Sequence, residues 1–143
     1  MIIIAHRGNI NGPSSLENHP LQIKRALDAG FDAEIDVWWI DKQLYLGHDE
    51  PQYKVELEFL QNEKLWCHAK SVEALEYMLD NNVHCFWHDQ DDYVVTSKGY
   101  IWAYPGKAGG KKVITVMPEI IEEKYKIKGA YLGVCTDYPT KYS

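Results

Sequence analysis

One stretch of the chain reads Ala33-Glu34-Ile35-Asp36-Val37-Trp38-Trp39-Ile40, an apolar run that only two acids interrupt. Such a run is typical of a strand buried on both faces, as parallel strands are. The preceding residues 20–29 have helical character, with Pro20 in the first turn and Gly30 at the end. Residues 2–5 form another short apolar run. Together these segments predict a β-α-β unit with parallel strands.

The remainder of the chain continues this alternation with shorter connections. Apolar runs predict further strands at residues 44–46, 65–69, 83–87, 94–96, 100–104, 113–117 and 130–135. Capping residues and apolar spacing predict helices at 72–80 and 118–126, and one more turn at 55–60. A complete (β/α)₈ barrel takes about 250 residues, so 143 residues cannot supply a helix for each strand. We therefore predict one α/β domain over residues 1–143. It is a reduced TIM-like barrel, or a partly open one, of about eight mostly parallel strands with several outer helices missing.

Composition narrows the class of protein. The chain is 45% apolar and 25% charged, which is typical of a globular domain. Its 15 basic and 21 acidic residues give a formal net charge of −6, so we expect no nucleic-acid partner. No apolar stretch approaches the ~18 residues of a membrane span, so we expect no integral membrane association. Cys67, Cys85 and Cys135 lie in apolar runs, which predicts buried thiols in a reducing compartment, the cytoplasm.

Polar side chains gather where the predicted strands end. His6 and Arg7 follow the first strand, and ligands bind at that end of parallel α/β folds. The imidazole can transfer protons, and the guanidinium is a fixed positive fork suited to phosphate. Glu17 and Asn18 belong to the same face in a functional interpretation. In the alternative they lie in a polar loop, with Asn18 or His19 capping the next helix.

Two acids on one strand indicate a metal site. Glu34 and Asp36 share a face because side chains alternate along a strand. Burying two carboxylates without partners is costly, and a divalent cation removes that cost. His48 ends the following strand, where it would supply a second proton-transfer group. The alternative is a turn in which Asp49 caps the loop.

Three more side chains are candidates. His68 and Lys70 share one face at the end of strand 65–69. Lys70 would contact a phosphate oxygen or oppose the acids, whereas His68 is either a third metal ligand or a satisfied core residue. Trp102 is the tryptophan that we place at the site, where it would cover an apolar part of the substrate. His84 is expected on a surface turn.

The order of these motifs resembles the glycerophosphodiester phosphodiesterase family, within the phosphatidylinositol-phospholipase-C-like superfamily. The resemblance rests on His6-Arg7-Gly8, Glu17-Asn18, Glu34-Ile35-Asp36, His48-Asp49, Tyr100-Ile101-Trp102 and Thr136-Asp137-Tyr138-Pro139. The resemblance extends from the first predicted strand to the last, and it is most specific in the first 50 residues. It implies a TIM-like barrel, a site at the strand carboxyl ends, and metal-dependent cleavage of a small phosphodiester. The roles that it implies are acid–base catalysis for His6 and His48, phosphate binding for Arg7, metal binding for Glu34 and Asp36, and support for Glu17 and Asn18.

The chain departs from the family pattern at two places. The family usually carries a long insertion after the His-Asp element, which is short here. Its third strand usually ends in Glu-x-Lys, whereas this chain has His68-Ala69-Lys70. Mg²⁺ is the cation that we expect, but an imidazole ligand at His68 would favour Mn²⁺, Co²⁺ or Zn²⁺.

The sequence therefore leaves three hypotheses for function. The leading one is a metal-dependent phosphodiesterase whose nucleophile is water or a neighbouring substrate hydroxyl, the latter giving a cyclic phosphate first. A second is a non-catalytic domain derived from that fold, which binds a phosphorylated ligand or a protein. A third is a metal-dependent hydrolase of another bond, such as an amide, for which a denser histidine cluster would be expected.

Overall fold

The structure is a computed structural model that describes residues 1–120 and 130–143. Its elements, in chain order, are β1 (Ile2–His6), α1 (Pro20–Asp28), β2 (Asp32–Ile40), β3 (Gln43–Leu46), β4 (Tyr53–Val55), α2 (Leu57–Leu60), β5 (Leu65–Ala69), α3 (Val72–Asp80), β6 (Cys85–Phe86), β7 (Tyr93–Val95), β8 (Ile101–Ala103), β9 (Val113–Val116) and β10 (Gly133–Thr136). Short 3₁₀ turns lie at Pro118–Ile120 and Pro139–Lys141. The rest of the helix predicted at 118–126 lies outside the described residues.

The strands form one curled, open sheet, a half-barrel of mostly parallel strands with few helices. The order is β4-β3-β2-β1-β10-β9-β8-β7, and β5 and β6 continue from β2. Six pairings are parallel and three, β2 with β3, β3 with β4 and β7 with β8, are antiparallel. The predicted α/β class with mostly parallel strands is confirmed. A closed barrel is not formed by strand pairing among the described residues.

The sheet stays open where β6 and β7 approach each other. β6 has only two residues, and β7 runs antiparallel to β8. These two strands therefore do not pair in parallel to close the sheet. Instead, the Ser97 N–H donates to the Cys85 carbonyl, and the Ser97 hydroxyl accepts from the Cys85 N–H. His84 is bonded to Thr96 at the same place, 2.8 Å between Nε2 and Oγ1. The seam is therefore held by a few local bonds.

β2 is the strand that positions the site. β1 and β5 both pair with its first half in parallel, and β3 pairs with its second half. In this register His6 is the neighbour of Glu34, and Asp36 is the neighbour of His68. The alternate residues Ala33 and Ile35 are fully buried on the other face. The predicted alternation of acids and apolar residues along this strand is confirmed.

The helices begin at the capping residues that the sequence indicates. The His19 side chain accepts from the Leu21 N–H before Pro20 starts α1, and the Ser71 hydroxyl accepts from the Ala74 N–H at the start of α3. The buried face of α3 is formed by Ala74 and Met78. The apolar spacing of this segment predicts an inward face of Val72, Leu75 and Leu79. Leu75 packs partly buried against the core, but Val72 and Leu79 are exposed because the helix turns Ala74 and Met78 inward.

Of two further expectations, one is confirmed and one is wrong. Cys67, Cys85 and Cys135 are buried and free, as predicted. The surface position expected for His84 is wrong, since its ring is buried against Trp66 and Tyr100. That burial lowers the pKa of His84 to about 4. No helix among residues 1–120 and 130–143 combines the length and apolar character that crossing a membrane requires.

Candidate active site

Side chains from several loops and strands line a cleft of about 200 Å³ at the carboxyl ends of β1, β2 and β5. The predicted site residues among them are His6, Arg7, Glu34, Asp36, His48, His68 and Trp102. They come together because the carboxyl ends of neighbouring parallel strands meet at one edge of the sheet. The two residues predicted as supporting groups, Glu17 and Asn18, line an adjoining polar cleft that shares Arg7 and His48 with this one.

Three of these residues offer ligands to a cation. One ligand atom each from Glu34, Asp36 and His68 lies within 4.8 Å of the other two, so this triad could hold a metal ion. Glu34 is 3% exposed and Asp36 is 1% exposed. Two adjacent buried carboxylates and an imidazole nitrogen form a mixed oxygen–nitrogen donor set that suits a divalent metal. The prediction of a metal site on this strand therefore has a geometric basis.

The ring of His68 is oriented so that one nitrogen faces the acids. Its Nε2 lies 2.8 Å from the His88 carbonyl oxygen, which can only accept, so Nε2 carries the hydrogen. Its Nδ1 lies 3.2 Å from Asp36 Oδ1 and 4.0 Å from Glu34 Oε2. Metal-bound histidines are commonly fixed through the other ring nitrogen in this way. A cation at Nδ1 would replace a proton there, so metal binding would release protons.

The two carboxylates differ in how readily they ionise. Burial raises the pKa of Glu34, and the neighbouring charge of Asp36 raises it further. Burial also opposes ionisation of Asp36, but contacts with His48, His68 and Asn18 hold its pKa well below the usual range. Asp36 therefore keeps its negative charge to lower pH than Glu34 does.

A carboxylate orients His6. The Nδ1 of His6 donates to Asp137 Oδ1 over 2.8 Å, which leaves Nε2 facing the cleft, 4.0 Å from Glu34 Oε1. Burial lowers the pKa of His6, but the hydrogen bond to Asp137 and the charge of Glu34 outweigh it and raise that pKa. The arrangement fixes the tautomer and holds a proton-transfer atom toward the cleft.

Arg7 connects the second histidine to the polar cleft. Its Nη1 donates to Glu17 Oε2 over 2.9 Å, and its Nη2 lies 3.0 Å from His48 Nε2. Because a guanidinium can only donate, His48 accepts through Nε2 and its Nδ1 carries the hydrogen, 3.5 Å from Asp36 Oδ2. The contact between Arg7 and Asp36 is longer, 3.7 Å from Nε to Oδ2.

Local backbone geometry presents these side chains. Arg7 and Asn18 both have positive φ, +53° and +65°, and the Asn18 N–H donates to the Arg7 carbonyl. Such strain in non-glycine residues costs about 1–3 kcal/mol and concentrates at functional sites. Asn18 is bonded twice to Asp36, each bond 2.9 Å long. Gly47 admits the turn before His48, since a Cβ there would overlap the Glu50 carbonyl oxygen.

Two predicted substrate contacts differ in position. Trp102 is almost fully buried in the wall of the cleft, tilted against Phe86 and Trp66. Lys70 is half-buried and not among the described residues that line the cleft. Its backbone N–H donates to the Val37 carbonyl just beyond the end of β5. The cationic side chain in the cleft is therefore that of Arg7.

Sequence reasoning assigned no role to Asp137, Asn9 or the His88 carbonyl. Asp137 follows β10 directly, so the rule that ligands gather at strand carboxyl ends was a usable signal. Asn9 carries no such signal, because its bond to Asp137 joins residues 128 positions apart. The contribution of His88 is a backbone group, which no side-chain pattern indicates.

The chain was also compared with known proteins. It matches no protein-family model, no curated protein and no solved structure.

Proposed function

We propose that this chain is a metal-dependent phosphodiesterase that cleaves a small, glycerophosphodiester-like substrate. The observation that carries the proposal is the position of two histidines beside one acid–histidine triad in a single cleft. His6 lies beside Glu34, and His48 lies beside Asp36. Cleavage of a phosphodiester needs one group to take a proton from the nucleophile and another to give one to the leaving alcohol.

The remaining charges in the cleft suit a phosphoryl group. A bound divalent cation supplies positive charge to the phosphoryl oxygens as negative charge builds on them. Arg7 adds a fixed donor fork, of which Nη1 is held by Glu17. A phosphate oxygen that accepts from Nη2 in place of His48 would leave the Nε2 of His48 free to accept a proton. Arg7 thereby positions the phosphate and releases the second histidine in one exchange.

The proposal includes a relationship to the glycerophosphodiester phosphodiesterase family. The half-barrel would be a shortened form of that family's TIM-like barrel. The parallel strand order and the convergence of the family motifs on one cleft support this relationship. We also propose the cytoplasm as the compartment, because the three thiols are free and buried.

Metal preference is a sharp expectation of the proposal. A nitrogen ligand at His68 favours Mn²⁺, Co²⁺ or Zn²⁺ relative to Mg²⁺. In metal titrations by calorimetry, we expect His68→Ala to lose about 10–100-fold in affinity for these metals. His68→Glu should shift preference toward Mg²⁺. His88→Ala is the matched control, because it keeps the carbonyl that orients His68. Unchanged preference in both His68 variants would mean that His68 is not a ligand and that Glu34 and Asp36 act alone.

The proposal as a whole is tested by a panel of phosphodiester and amide substrates, each with and without a divalent metal. We expect turnover of small phosphodiesters only, and only with metal present. Turnover of amides would instead assign a different hydrolase. Tight binding of a phosphodiester without turnover would assign a non-catalytic binding domain.

A further inference from the structure

A continuous set of hydrogen bonds links the two histidines without passing through the residues of the metal triad. It runs from His6 to Asp137, then through Asn9 to Glu17, and from Glu17 through Arg7 to His48. Each bond in it is between 2.8 and 3.1 Å long. Asn9 stands at its centre, between the carboxylate that orients His6 and the carboxylate that holds Arg7.

The contacts of Asn9 are those of a dedicated donor. Its Nδ2 donates to Asp137 Oδ1 over 2.9 Å and to Glu17 Oε1 over 3.1 Å, so both amide hydrogens meet a carboxylate. Its side chain is fully buried, and its Oδ1 has no hydrogen-bond partner among the described residues. An unpaired buried acceptor costs stability. The two bonds that the amide nitrogen donates to the carboxylates therefore account for the position of this side chain.

Charge explains why an amide occupies this position. Two carboxylates that share one donor lie close together, and their like charges repel. An amide nitrogen with two hydrogens satisfies both and adds no charge of its own. An aspartate in its place would add a third negative charge, and an apolar residue would leave both carboxylates without this donor.

We propose that Asn9 is a positioning residue for the two proton-transfer groups. By joining Asp137 to Glu17, it sets the separation between the His6 imidazole and the Arg7 guanidinium. Through Arg7 it also sets the place of His48 until a phosphate oxygen takes over the Nη2 contact. This inference rests on the proposed phosphodiesterase function. Displacement of a reacting group by 1 Å can cost about 100-fold in rate, so the effect falls on turnover more than on substrate affinity.

The test uses the full chain with Asn9→Leu, which removes the donors at similar size, and Asn9→Ser, which keeps one donor and is easier to fold. Asn11→Leu is the matched control, because Asn11 is exposed in the same loop and has no partner among the described residues. We expect Asn9→Leu to lower kcat about 10–100-fold, with KM and metal affinity within about threefold of wild type. Combined with Asp137→Asn, its loss should be smaller than the product of the single losses, since both act on His6.

A second readout needs no turnover. In ¹⁵N NMR of the metal-free protein, wild-type His6 should carry its hydrogen on Nδ1, and the Asn9 variants should show a mixture of ring tautomers. Wild-type-like His6 signals and kcat in either folded Asn9 variant would overturn the inference, as would a wild-type His6 protonated only on Nε2. If wild type hydrolyses no phosphodiester, the proposed function fails, and the NMR comparison still decides the role of Asn9.

Discussion

Replacing His6 or His48 with alanine is expected to lower phosphodiester turnover about 10²–10⁴-fold, which corresponds to roughly 3–5 kcal/mol of activation free energy. His6 presents Nε2 to the cleft beside Glu34, and His48 lies beside Asp36 with its Nε2 on Arg7. Folding and metal affinity should change little. In His6→Ala, Asp137 keeps its bond to Asn9, and in His48→Ala, Arg7 keeps its bond to Glu17. Steady-state kinetics, metal titration and thermal unfolding of each variant check these three expectations.

His88→Ala is the control for this pair. His88 lines the same cleft, but its ring is bonded to the Asp91 carbonyl, and its contact to His68 is made by the backbone. Its kcat should stay within a few-fold of wild type. Wild-type activity in either His6→Ala or His48→Ala would contradict the proton-transfer roles.

Removing the charge of either acid should abolish tight metal binding, with different effects on the stability of the metal-free protein. We expect Glu34→Gln and Asp36→Asn each to lose at least about 100-fold in metal affinity. Without metal, Glu34→Gln should unfold at the same or higher temperature, because burial already disfavours the charge of Glu34. Asp36→Asn should be destabilised by about 1–3 kcal/mol, because the ionised carboxylate accepts from Asn18 and faces His68.

Thermal unfolding with chelator and with added metal separates these effects. Wild type should gain stability as metal is added, and neither variant should gain as much. Metal-dependent stabilisation of both variants equal to that of wild type would remove the triad as the metal site. Equal destabilisation of the two metal-free variants would contradict the expectation that the ionised form of Asp36 is better stabilised than that of Glu34.

The parts of the fold that follow from the sequence are those set by local pattern. The apolar residues of β2 indicate that the strand is buried on both faces. The helix caps are indicated by His19 and Ser71, whose side chains can accept from backbone N–H groups of the first helical turn. The sequence pattern does not indicate strand β4, because its three residues are ordered by pairing with β3. The open seam also depends on tertiary contacts, since His84 reaches Thr96 and Cys85 reaches Ser97 only when β6 and β7 converge.

In the candidate site, too, the predictable residues are those set by local pattern. Glu34, Asp36 and His68 were predictable because alternation along β2 and β5 determines which face each one occupies. Lys70 shares that alternation but follows the end of β5, where the pattern no longer determines the direction of a side chain. Asp137 and Asn9 meet only through long-range contacts, which no local pattern encodes.

The most direct test follows a glycerophosphodiester by ³¹P NMR in the presence of the purified chain, with Mg²⁺ or Mn²⁺ and with chelator. We predict that the diester signal is replaced by that of a phosphomonoester or a cyclic phosphate when metal is present. The signal should persist in chelator and with His6→Ala. A diester that survives every metal in the presence of folded, metal-binding protein would contradict the proposed function, as would cleavage at the same rate in chelator.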